Sequence, residues 1–248
     1  MLPIAYFLLP DKFNGNQRAE LLRQAIFKLN GTGAVVTNLV MDNCPVNYSS
    51  YRSLGCTFSK KYDNLNTATD LTNIQGKHVL AMFDPPHLIK LIRNALGHWN
   101  TIIDWNNQLV NWNHIVQLHN YQIKNGFKLA NKLSKKHIEF KKNSMKVKLA
   151  TQTISRSVAA ALLTMKDSND NNFAKVQPTI DYLLCFDELF DVMNSHSLSN
   201  QFSKAPLQPK NEKQWNSLFT RCSSYICNLK TTSGKSVLYS KRSAAFLG

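Results

Sequence analysis

The run from His78 to Leu96 constrains this chain most, because an apolar strand stops abruptly at a polar cluster and becomes a helix. His78-Val-Leu-Ala-Met-Phe83 reads as the strand. Asp84-Pro85-Pro86-His87 breaks it, and Leu88, Ile89, Leu91, Ile92, Ala95 and Leu96 then recur at helical spacing up to Gly97, which is expected to close the helix. Pro86 fits the first helical turn, where a missing N–H costs nothing. This layout predicts Asp84 and His87 together at the C-terminal end of a strand, the edge of an α/β sheet where sites usually form.

The flanking sequence extends the same pattern. Ile4 to Leu9 reads as a short strand, and a helix is expected from about Gln17 to Asn30, with Leu21, Leu22, Ala25, Ile26 and Leu29 on its buried face. Ala34 to Met41 is β-branched and nearly unbroken, as in a strand buried on both faces, and it ends at Asp42. A helix around Tyr48 to Leu54 and a polar loop from Ser59 to Gln75 follow. The expected fold class is therefore α/β with parallel strands, up to about residue 98. From about Trp99 amphipathic helices take over, with candidates at Leu109 to Asn125, Lys148 to Met165, Pro178 to Ser195 and Glu212 to Leu229. The segments Lys166 to Asn172 and Leu198 to Pro209 read as loops. A second, mostly helical domain is expected over 99–248.

Charge narrows the function. A net charge of +15 and a pI near 9.7 exceed what solubility needs and point to a polyanionic partner, nucleic acid ahead of an anionic membrane. No window approaches 18 consecutive apolar residues, and the N-terminus lacks a basic region and a small-residue cleavage site. Neither a membrane span nor a secretory signal is expected, and the protein reads as intracellular. Cys44, Cys56, Cys185, Cys222 and Cys227 are odd in number and form no C-x-x-C pair. That argues against a zinc finger or a disulfide framework, and leaves reduced, half-buried fillers.

Three constellations could carry chemistry. Asp42 and Asp84 end neighbouring strands; they either share a divalent cation or each cap the helix that follows, and His87 is either a ligand or acid/base or a structural hydrogen-bonder. Lys124, Lys128, Lys132, Lys135, Lys136, Lys141, Lys142, Lys146 and Lys148 surround a single acid, Glu139, with Phe127, His137 and Phe140 interleaved. A merely solvated face would carry compensating acids, so this segment is expected to bind anions. Phe190-Asp191-Val-Met-Asn194, if helical, sets Asp191 and Asn194 one turn apart on one face beside Phe190. A carboxylate there can accept from N1–H and N2–H of guanine under a stacked ring, although an ordinary amphipathic helix has the same pattern. Gly234-Lys235-Ser236 lacks the earlier glycine of a phosphate-binding loop, since Leu229 stands in its place.

The run Asp84-Pro-Pro-His-Leu-Ile-Lys-Leu-Ile-Arg-Asn94 resembles the DPPHL(I/L)K-x-(I/L)RN signature of P-element-type transposases, including transposase-derived THAP-domain proteins. Further landmarks follow in the family's order: Pro3 to Leu8, the Gly31/Gly33 turn, Asp42-Asn-Cys-Pro-Val-Asn47, Asn131-Lys-Leu133 with His137, Met145 to Ser155, Phe190 to Asn194, and Lys241 to Gly248. The resemblance implies a truncated ribonuclease H-like, integrase-type domain followed by a mostly helical GTP-binding insertion domain. It implies that Asp42 is the second acid of a DDE triad that binds Mg²⁺. Asp84 and His87 would then be structural beside the active site, which replaces the pairing of Asp42 with Asp84. Lys132, Val147, Ser155, Phe190, Asp191 and Asn194 fall where the family's GTP contacts lie.

By the same resemblance the first triad Asp and the Glu lie outside the chain, as do the zinc-coordinating DNA-binding module and its coiled coil. The chain then reads as an internal fragment, or a decayed or domesticated copy, of a GTP-dependent cut-and-paste DNA transposase, inactive alone because two-metal phosphoryl transfer needs several carboxylates. Its partners would be GTP and DNA, at transposon ends and target, with Lys135, Lys136, Lys141 and Lys142 on the nucleic acid, in the nucleus, away from membranes, and with room for a homo-oligomer in the full-length protein. The alternatives are a non-catalytic, transposase-derived DNA- or chromatin-binding protein and, separately, an unrelated basic α/β enzyme that uses Asp84 and His87.

Overall fold

The structure is a computed structural model that describes residues 3–8, 13–58, 64–168, 170–195 and 204–246. Contacts divide the described chain into two units after Asp84. The first unit is α/β. Helix α1 (Gly15–Gly31) opens with a reciprocal cap, in which Asn14 Oδ1 accepts from the Gln17 amide and Gln17 Oε1 accepts from the Asn14 amide, both at 3.0 Å. Strand β1 (Asn38–Met41), helix α2 (Pro45–Ser53), strand β2 (Ala68–Thr72) and strand β3 (His78–Phe83) follow. The sheet runs β1-β3-β2, with β1 parallel and β2 antiparallel to β3.

The first unit differs from the sequence reading in three places. Residues 3–8 form no strand, and Ile4, Tyr6 and Leu8 are exposed; Leu9 lies outside the described residues. The expected strand from Ala34 contracts to Asn38–Met41 and is not buried on both faces: Asn38 and Val40 on one face are exposed, and Leu39 and Met41 on the other are half-buried. The expected loop contains β2, which makes the sheet mixed rather than parallel. Its buried Thr69 and Leu71 alternate with outward Asp70 and Thr72, a pattern too short and too polar to stand out.

Tyr51 ties this unit together. Its hydroxyl lies 2.6 Å from the Leu39 carbonyl and 2.7 Å from the Met82 carbonyl, so one fully buried side chain of α2 joins both parallel strands. Its ring packs edge-on against Phe83, with centroids 5.3 Å apart. Burial pushes the phenol well above its ordinary value, so the group is a neutral donor.

The second unit begins with α3 (Pro85–Trp99), so the structural division falls before this helix rather than near Trp99. Gly97 does not close α3. It lies inside the helix, where a Cβ would come 2.5 Å from Phe140 Cε1, so glycine here admits the Phe140 ring. Strand β4 (Thr101–Ile103) and strand β5 (Leu109–Asn111) form a hairpin around the buried Asp104, whose Oδ1 accepts from the amides of Asn106 (2.9 Å) and Gln108 (2.7 Å). The remaining elements are α4 (Trp112–Asn125), α5 (Lys135–Ile138), a 3₁₀ turn (Phe140–Asn143), α6 (Val147–Thr153), α7 (Arg156–Asp167), α8 (Gln177–Met193), α9 (Glu212–Asn228) and strand β6 (Lys230–Thr231).

β6 adds antiparallel to β4, so this unit is mostly helical but carries a small sheet that the sequence reading missed. Its strands have only two or three residues each, too few to show a period. The helix expected from Leu109 starts at Trp112, after β5. The one expected over Lys148 to Met165 is two, broken at Ile154 (φ −86°, ψ 86°), with Ser155 capping the second.

Tyr51→Phe removes the donor while keeping the ring, and takes away the hydrogen bond that the hydroxyl shares between the Leu39 and Met82 carbonyls. We expect destabilisation of about 1–3 kcal/mol, read as a lower urea midpoint with an unchanged slope.

Candidate functional site

The first unit presents a carboxylate edge. The register Met41↔Phe83 puts Asp42 and Asp84 at matching positions just past adjacent parallel strands, and the Asp84 amide donates to the Met41 carbonyl at 2.9 Å. Asp42 Oδ1 accepts from Asn47 Nδ2 at 2.6 Å and from the Cys44 amide at 3.3 Å, so Asp42 also fastens the start of α2. Asn47 is buried and accepts in turn from Arg18. Among the described residues no group of three or more His, Cys, Asp or Glu side chains could hold a metal ion.

His87 belongs to the second unit. Its Nδ1 lies 3.2 Å from the buried Lys90 Nζ, which also donates to Met145 Sδ at 3.8 Å. One turn on, the fully buried Arg93 donates to the carbonyls of Asn143 (3.1 Å) and Ser144 (3.3 Å), and Asn94 to that of Ser144 (3.1 Å). Burial without a carboxylate partner lowers the Arg93 guanidinium to about 10. The signature run of α3 thus fastens the end of the lysine-rich segment.

That segment spans α4 to α6, and all nine lysines are exposed. Glu139 lies 3.7 Å from both Lys135 and Lys142, two long, solvated pairs that neutralise little. His137 and Phe140 do not join this surface. They are buried with Ala130 and Leu133 beneath it. His137 Nδ1 accepts from the Ser134 amide (3.0 Å) and Nε2 donates to Gln152 Oε1 (3.1 Å), while burial depresses its proton affinity. It joins α5 to α6 as a neutral ring.

The nucleotide candidates fall into two groups. Phe190 and Asp191 lie half-buried in the last turn of α8, and Asn194 is its cap residue, just past the helix. Beside them the first residue of α7 docks: the Arg156 amide donates to Asp187 Oδ2 at 3.1 Å. Ser155 is therefore at this edge, with its hydroxyl accepting from the Val158 amide (3.3 Å) and donating to the Gln152 carbonyl (3.0 Å). Lys132, exposed in the 126–134 connection, and Val147, the first residue of α6, form the other group. Val147 lines a cavity of about 500 Å³ with Lys136, Lys146 and Gln152. Among the described residues no hydrogen bond or ion pair joins Lys132 or Val147 to the α8 edge.

The sequence reading missed Asp187. It stands one turn before Asp191, and burial, then the neighbouring Asp191 charge, pushes its carboxyl up to about 6. Asp191 is raised too, by burial, while Lys204 and Arg156 pull it down. Two half-buried carboxylates one turn apart form a place for a ligand that brings hydrogen-bond donors. The i, i+4 spacing of Asp187 and Asp191 along the helix was the available signal.

Residues 86–206 match the family model described as "TNP-like, GTP-binding insertion domain", and residues 1–55 match "TNP-like, RNase H N-terminal domain". The chain is 27% identical over 249 residues to the human DNA transposase THAP9, an alignment covering 99% of this chain and 27% of that protein. It thus spans about a quarter of that relative's length. The fold resembles that in the Drosophila P element transposase strand transfer complex, with a TM-score of 0.75 at 21% identity, over 92% of this chain and 50% of that one. With both family models matched in tandem, and the DPPH run at the start of the second, this chain belongs to the P-element-type transposase family.

Proposed function

We propose that this chain supplies the nucleotide-binding and DNA-contacting part of a GTP-dependent, DDE-type DNA transposase acting in the nucleus. The observation that carries this reading is the Asp187/Asp191 pair, desolvated on α8 within the segment matched by the GTP-binding model. Asp191 accepts from N1–H and N2–H of guanine, Phe190 stacks on the base, and Ser155 and Asn194 provide further polar contacts. Lys132 and the lysines around Val147 hold phosphates. Lys135, Lys136, Lys141 and Lys142 contact the DNA backbone.

The described residues do not complete a divalent-metal site, because Asp42 and Asp84 fall short of the several carboxylates that two-metal chemistry requires. Asp42 is proposed as one Mg²⁺ ligand of a larger set. Its tether through Asn47 to Arg18 fixes its orientation at the strand end.

Asp191 should choose guanine. Each charge-assisted hydrogen bond is worth roughly 1.5–3 kcal/mol, and adenine presents an acceptor at N1 that the carboxylate repels. Calorimetric titration of the chain should give GTP at least tenfold tighter than ATP. Asp191→Asn should weaken GTP and improve xanthosine triphosphate, whose C2 oxygen accepts; equal GTP binding by both proteins would remove this role.

Asp187 links the site to stability. Its folded carboxyl, at about 6, holds a proton that the unfolded chain, near 3.9, has already lost. Stability contributed by this group therefore falls as pH rises from about 4 to about 6, and stays low above that. Asp187→Asn should remove this slope and raise stability at pH 7 by on the order of 1 kcal/mol after allowance for solvent screening. Urea midpoints of both proteins between pH 4 and pH 7.5 would check the difference.

For DNA, log affinity should fall linearly with log salt. Replacing Lys135, Lys136, Lys141 and Lys142 by Gln should flatten the slope by roughly 0.9 for each phosphate that is no longer neutralised. An unchanged slope in fluorescence anisotropy would locate the phosphate-binding lysines on another surface.

A further inference from the structure

Helices α8 and α9 bring two thiols together on the half of α8 that carries Asp187 and Asp191. Cys185 Sγ lies 3.4 Å from Cys222 Sγ, and Cys222 Sγ lies 3.8 Å from the Cys185 carbonyl. Both are free thiols. Val192 and Leu218, with Leu189 and Phe219, pack around them, so the pair is held in an apolar seam between the two helices. Arg221 precedes Cys222 and donates to Glu188 Oε2 at 2.6 Å.

The pair is asymmetric. Cys185 donates its S–H to Cys222, which with burial pushes the Cys185 thiol far up, whereas that hydrogen bond and the Arg221 charge draw the Cys222 thiol below its ordinary value. A route in exists as well. Cys185, Glu188 and Arg221 line a cavity of about 570 Å³ in this unit, together with Trp105, Arg156 and Tyr225. Cys227, one turn further along α9, is exposed, and no sulfur contact joins it to another cysteine among the described residues.

We propose that Cys185 and Cys222 form a reversible dithiol–disulfide site, oxidised by hydrogen peroxide entering through this cavity. One sulfur, as thiolate, attacks the O–O bond; an S–O bond forms, the O–O bond breaks, and the departing hydroxide takes a proton to leave as water. The second thiol attacks the sulfenic sulfur, forming S–S and breaking S–O, and a second water leaves. The sulfurs lose two electrons in all, the peroxide gains them, and a reducing thiol reverses the step. The product ties α9 to the half of α8 that carries Asp187 and Asp191, closing the intervening chain into a covalent loop.

Hydrogen peroxide titration of the intact chain, alkylation of the remaining thiols and peptide mass mapping test this without any variant. The expected product is one cross-linked pair of peptides containing Cys185 and Cys222, two hydrogens lighter than the reduced pair. Both alkylation sites should be lost together and recovered with dithiothreitol, while Cys44, Cys56 and Cys227 remain alkylated. The oxidised chain should melt at higher temperature, and Cys185→Ser should abolish the cross-link and that shift. Oxidation of Cys227 with Cys185 and Cys222 still alkylated would overturn the proposal, as would sulfinic acid at either residue with no cross-link.

Discussion

The burial of α8 is the constraint on which the second unit depends. Ile180, Tyr182, Leu183 and Phe186 are nearly or fully removed from solvent, and Thr179 Oγ1 lies 2.9 Å from the Asn111 amide and 2.8 Å from His114 Nδ1. A helix fixed that firmly over its first three turns has no freedom to swing its last turns into water. Asp187 and Asp191 are thereby held partly desolvated, at the cost expected for a half-buried carboxylate. Cys185 is brought against Cys222 by the same packing, because the face of α8 that meets α9 is set by the face that meets α7 and β5.

Electrostatics divide the second unit differently. Lysines occupy the outside of the segment from α4 to α6, while Ala130, Leu133, His137 and Phe140 fill its inside. Arg93 and Asn94 hold the carbonyls at its end, so the cations stand on a backbone anchored from beneath. That anchoring separates this segment from a solvated basic tail. A lysine on an ordered backbone loses less freedom when it meets a phosphate.

In the first unit the corresponding device is Tyr51. A hydroxyl between carbonyls of both parallel strands sets how far apart their ends stand, and Asp42 and Asp84 follow directly after those ends. Asp42 serves two purposes there. Its bonds to Asn47 and the Cys44 amide are those of a helix-fastening aspartate, and its place at the strand end leaves it compatible with the metal-binding role proposed above. The two readings of Asp42 are therefore compatible in one side chain.

The sequence by itself determined the long periodic elements: α1, β3, α3, α8 and α9 stand close to where apolar spacing put them, because a helix of four turns repeats its pattern often enough to be unmistakable. It determined as well the net charge, the lysine run and the DPPH run that carries the family likeness. The short elements β2, β4, β5 and β6 were decided only by tertiary structure, since two to five residues show no period and become strands only when a partner supplies the other half of each hydrogen bond. The break between α6 and α7, the burial of His137 and the proximity of Asp187 to Arg156 were settled in the same way. Each depends on which groups lie within about 3 Å across the fold, and no spacing along the chain encodes that distance.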